Sequence, residues 1–84
     1  MSDKYHVYLY YDTVNQIQIR TFESAVTSEE YCRMLYFQLR SMGAKGEIRV
    51  LRTSTRRLSN NVLTESKQVA FVSLYDQYYK YVRT

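Results

Sequence analysis

Eighty-four residues with 45% hydrophobic and 24% charged content describe one small globular domain, too apolar for a disordered chain and without the run of about 18 apolar residues that a membrane span needs. A single Cys32 excludes an internal disulfide, and MSDKYHVYLYY lacks the basic start, apolar centre and cleavage site of a secretory signal, so the expected setting is a reducing cytoplasm, that of the host cell if the source is viral. The net charge of +4 is uneven: residues 1–30 carry −3, whereas residues 33–57 carry +6 through Arg33, Arg40, Lys45, Arg49, Arg52, Arg56 and Arg57 against Glu47, which points to an anionic partner.

In chain order, residues 5–11 alternate Tyr5, Val7, Leu9 and Tyr11 with His6, Tyr8 and Tyr10, the period of a strand. Asp12, Thr13 and Asn15 mark a turn, and Ile17 and Ile19 then alternate with Gln16, Gln18 and Arg20, so the two runs read as an antiparallel hairpin. Tyr5, Val7, Leu9, Ile17 and Ile19 are expected to face a helix, leaving His6, Tyr8, Tyr10, Gln16, Gln18 and Arg20 on the other side.

That helix is read over residues 27–42, opened by a capping box between Thr27 and Glu30 and stopped by Gly43. At 100° per residue, Tyr31, Cys32, Leu35, Leu39 and Met42 fall in one apolar arc with Tyr36 at its edge, while Phe37 stands opposite, flanked by Arg33, Arg40 and Glu30. After a turn at residues 43–46, residues 47–58 read as a third strand with Ile48 and Val50 inward and Arg49 and Leu51 outward. The inward parity then turns polar at Arg52, Ser54 and Arg56, so this strand is expected to run past the sheet, with Asn60 and Asn61 supplying positive φ at a hairpin tip.

The tail, residues 64–83, reads as a second helix carrying Phe71, Val72, Tyr75, Tyr78, Tyr79 and Val82 on one side; a fourth strand over residues 69–75 is the rival, and residues 62–64 can form a short extra strand. The expected fold is thus a single α+β domain over residues 1–84, an antiparallel sheet in the order β-β-α-β-α.

Nothing in the chain assembles a catalytic, cofactor or metal motif: the one His has no carboxylate companion, Cys32 lies on the core stripe, and both Gly are used by a helix stop and a turn. No catalytic residue, no cofactor and no metal ligand are therefore assigned, and a non-enzymatic binding module is the expectation. The leading reading is a protein-binding adaptor or inhibitor that meets an acidic surface through Arg33, Phe37, Arg40, Arg49, Arg52, Arg56 and Arg57. The alternative is single-stranded RNA or DNA held on His6, Tyr8, Tyr10 and Arg20. Ten Tyr residues, four of them in the last ten positions, also suggest a homodimer through Tyr75, Tyr78 and Tyr79.

The segment EEYCRMLYFQLRSMGAKGEIRVLR, under a third of the chain, loosely resembles the helix, Gly-containing turn and strand that close the small linker domains of phycobilisomes; the preceding hairpin does not match. In general character, a tiny Tyr-rich domain of this kind resembles the accessory proteins of bacteriophages that bind and redirect a host component.

Overall fold

The computed structural model describes residues 2–12 and 14–84; Thr13, assigned to the first turn, lies outside the described residues. The elements run β1 (Ser2–Tyr10), β2 (Gln16–Phe22), α1 (Ala25–Ser41), β3 (Glu47–Arg57), β4 (Val62–Ser73) and β5 (Val82–Arg83). They form an antiparallel sheet in the order β2-β1-β3-β4-β5, with one helix on one face. The α+β class holds, while the order is β-β-α-β-β-β and not β-β-α-β-α.

The difference lies in the tail. Residues 70–72, Ala-Phe-Val, pair along β3 with Ala70 and Val72 fully buried, because opposite Val50 and Ile48 they complete the sheet's apolar face. The β4 strand absorbs both the short strand expected at residues 62–64 and most of the rival strand at 69–75. The remaining tyrosines lie in an irregular segment before the two-residue β5, where the helical stripe read from the sequence has no counterpart.

The helix also starts earlier than its capping box suggests. Ser24 is the N-cap, its hydroxyl accepting from the Thr27 amide at 3.4 Å, and this earlier start brings Ser28 into the core. At the other end Gly43 adopts φ 75°, its amide donates to Arg40 O and that of Ala44 to Leu39 O, the paired bonds of a Schellman stop. Met42 is the C-cap residue and stands 71% exposed outside the stripe, whereas Tyr36, placed at the stripe's edge, is fully buried.

Val7, Leu9, Ile48, Val50, Ala70 and Val72 meet Cys32, Leu35 and Tyr36 of the helix, and Leu74 closes the core. The β3–β4 hairpin runs past the helix as a ribbon, with β1 alongside as far as the Ser2–Thr55 pair, and the molecule is 49 Å long and 19 Å thin. Its tip closes through reciprocal bonds between Leu58 and Asn61 with no positive φ at any described non-glycine residue, so the Asn conformation expected there is not used. No helix among the described residues is long and apolar enough to cross a membrane.

Candidate functional site

Among the described residues no element lies over the sheet face away from α1, because most of the tail packs on the helix side. Tyr36 Oη donates to Asp76 O at 2.6 Å, Arg40 Nη1 to Leu74 O at 3.1 Å, and Tyr79 meets the Tyr36 ring edge-on with centroids 5.5 Å apart. Most of the segment that could have covered the open face is thereby held on the opposite side, and of the tail's tyrosines Tyr75 borders the end of that face.

Strand register determines what that face displays. Tyr8 and Tyr10 project from β1 with ring centroids 6.2 Å apart, Arg49 lies opposite Tyr8, and Phe71 lies opposite Arg49. The Arg49 guanidinium sits 4.1 Å from the Tyr10 ring centroid, and its Nε donates to Glu47 Oε1 at 2.6 Å. These contacts fix the guanidinium plane and leave the terminal nitrogens without a hydrogen bond among the described residues. Leu51 lies opposite His6, and Lys4 and Arg57 share the same parity along their strands.

Beside the aromatic group runs a polar network. His6 Nδ1 lies 2.9 Å from Thr21 Oγ1, Gln18 Nε2 donates to Thr21 Oγ1 at 2.8 Å, and the Tyr8 hydroxyl donates to Gln18 Oε1 at 3.3 Å. The imidazole is thus held by a hydroxyl and an amide among the described residues.

Of the predicted face set, His6, Tyr8 and Tyr10 come together, but Arg20 does not. A bulge in the β1–β2 ladder sets Arg20 opposite Val7 and turns it to the helix side, 5.5 Å from the Phe22 ring centroid and 5.8 Å from that of Tyr31. Ile17, opposite Leu9, and Ile19, against the core, keep the helix side expected of them, although Ile17 is 46% exposed on this edge strand; the simple alternation of β2 fails only beyond the bulge, at Arg20. Phe71 was missed because it was assigned to a helix; the apolar run from residue 69 to 72 was the available signal.

The seven residues proposed for an acidic partner are likewise divided. Arg33 lies over the Tyr79 ring at 5.8 Å, Arg40 holds Leu74 O, and Phe37, though 53% exposed, packs edge-on against Tyr36 at 5.1 Å instead of standing alone in water. Arg49 is on the open face, and Arg52 and Arg56 line a cavity of about 230 Å³ with Asp3 and Glu65 on the helix side of the ribbon. Arg57 is at the hairpin tip. The three dimer candidates are separated too: Tyr75 and Tyr78 are exposed, whereas Tyr79 is half-buried against the helix.

At the end of the open face, Tyr10, Asp12, Glu47, Arg49 and Tyr75 border a cavity of about 330 Å³. Its floor depends on Gly46, which has φ 125° and lies so close to β1 that a Cβ there would run into the Tyr10 carbonyl oxygen. The Asp12 carboxyl is held below its ordinary range by the amides of Asn15 and Val14 and by the Asn15 side chain. Cys32 is remote from this face and fully buried; burial, aided by the Glu29 charge, pushes its thiol up to about 12. Among the described residues, no three His, Cys, Asp or Glu side chains converge as a metal site. Comparison with protein-family models, with curated proteins and with solved structures gave no match for this chain.

Proposed function

We propose that this protein is a non-enzymatic binding module that holds single-stranded nucleic acid on its open sheet face. The observation that carries the reading is the grouping of Tyr8, Tyr10 and Phe71 around Arg49 on a face that no other element covers. Aromatic rings on an open sheet stack bases of any sequence, and Lys4, Arg49 and Arg57 supply positive charge along the same surface for the phosphates. The His6, Gln18 and Thr21 network adds donors and acceptors beside the rings.

Fluorescence anisotropy with labelled oligouridine of about eight nucleotides, a length within the usual site range, tests the reading. Binding is expected at low salt and should weaken steeply as salt rises, because neutralised phosphates release counterions. Tyr8→Ala or Tyr10→Ala should each lower affinity by roughly 1–3 kcal/mol, about 5- to 150-fold. Absence of any oligonucleotide binding at low salt would remove the proposal.

A second reading, an adaptor or inhibitor bound to another protein, is favoured by the exposed Met34, Phe37 and Tyr78 of the helix and tail, with Arg33 nearby over Tyr79. It predicts that Phe37→Ala abolishes capture of a protein partner in the presence of nuclease, whereas Tyr8→Ala leaves that capture intact.

A further inference from the structure

The cavity at the end of the open face differs in chemistry from the rest of that surface. Two carboxylates, Asp12 and Glu47, accompany one guanidinium there, so the local charge disfavours a phosphate while the tyrosines favour a planar ring. Its volume of about 330 Å³ lies at the low end of the small-ligand range of roughly 300–1,000 Å³. A neutral base at the end of a strand suits these limits better than the sugar-phosphate backbone does.

The placement of acceptors and donors narrows the choice. Glu47 commits Oε1 to Arg49 Nε, and its Oε2 carries no hydrogen bond among the described residues. The terminal nitrogens of Arg49 are free in the same plane, so the ion pair presents an acceptor beside a donor. Asp12 adds a second carboxylate: its Oδ1 accepts from the Val14 and Asn15 amides and its Oδ2 from the Asn15 side chain at 2.8 Å, so Oδ2 is the oxygen with one lone pair left for a ligand. Of the common bases, guanine alone offers two adjacent N–H donors, N1–H and N2–H, next to an acceptor, O6. Adenine, cytosine and uracil each oppose at least one lone pair to this carboxylate-rich edge.

We infer that this cavity is a guanine subsite of the open-face binding surface. The Glu47 and Asp12 carboxylates accept N1–H and N2–H, Arg49 donates to O6, and the Tyr75 ring, 67% exposed at the cavity mouth, stacks on the base. The inference rests on the nucleic-acid reading for its biological ligand, but the subsite is testable without it.

Two measurements separate the two claims. The first compares oligouridine with the same oligomer carrying one terminal guanosine, by anisotropy at fixed salt. Guanosine should raise affinity about tenfold, and Glu47→Gln and Tyr75→Ala, each checked for native circular dichroism, should bring the guanosine-to-uridine ratio towards one. The second titrates GMP, AMP, CMP and UMP against the whole protein while following backbone amide shifts. GMP should shift the amides of Gly46, Glu47 and Tyr75 at lower concentration than the other three nucleotides. If oligouridine binds but neither experiment discriminates guanine, the subsite is overturned and the open-face reading stands. Selective GMP binding without oligonucleotide binding would support the subsite and overturn the open-face reading; no preference in either format and no oligonucleotide binding would overturn both.

Discussion

Tyr79 shows how a single hydroxyl can be a weakness in a small core. Its ring packs against Tyr36 and Phe37 and receives Arg33, yet its Oη is buried without a hydrogen-bond partner among the described residues. Burial pushes this phenol up to about 12, and burial does the same to Tyr81, with nearby Cys32 and Glu29 adding to both shifts. A phenol whose folded value lies above its ordinary value near 10 favours the protonated, folded state. That contribution is complete below pH 10 and is lost as pH rises through about 12, because the unfolded chain ionises first. Denaturant midpoints should therefore fall across this interval, and Tyr79→Phe should flatten the slope. At neutral pH the same substitution should be neutral or stabilising by up to about 1 kcal/mol, since it removes an unsatisfied polar atom and keeps the ring; a large loss would mean that the hydroxyl has a partner. Tyr36→Phe is the counterpart, expected to lose about 0.5–1.5 kcal/mol with the bond to Asp76 O. Cys32 should resist thiol reagents in the folded protein and react only at the rate of unfolding, because its thiol is buried and stays protonated.

At the scale of elements, α1 binds to the sheet through Cys32, Leu35 and Tyr36, so Leu35→Ala should cost about 2–5 kcal/mol by chemical denaturation, whereas Met42→Ala at the exposed C-cap should cost little. These residues also mark what the sequence made legible. Period-2 alternation in β1 and the apolar arc of α1 each identified a buried face, because both elements have one wet and one dry side. The β4 strand was harder to read: its N-terminal half is solvated, its C-terminal half is sheet core, and the bulge at Val69 breaks its period, so a helical wheel fitted the tail's aromatics as well as a strand did. The capping box at Thr27 was the start the sequence suggested, whereas Ser24 caps α1, and tertiary burial of Ser28 goes with that earlier start. Of the candidate site, Tyr8, Tyr10 and His6 were legible from alternation alone. Phe71 was not, because its membership depends on pairing across β3, and neither was the departure of Arg20, which depends on one extra residue in a ladder.

For the whole molecule, one-sided packing separates two kinds of surface: the helix and most of the tail share one side, and the open face is left with half-buried rings and the fixed guanidinium of Arg49. Substitutions on the open face should therefore change binding more than stability; Tyr10→Ala is expected to leave the unfolding midpoint closer to that of the parent than Leu35→Ala does. The central ladder joins β1 to β3, with Val7 opposite Val50, and so depends on partners distant in sequence. Loop closure must precede that pairing, which places the chain among the slower-folding small domains, in the millisecond range or longer. On a ribosome, β1 and β2 emerge well before β3 can dock, and during that interval Val7 and Leu9 lack the strand that will flank them. A fragment ending at residue 46 should consequently show no protected amides in β1, whereas in the full chain Val7 and Val50 should be among the last amides to exchange.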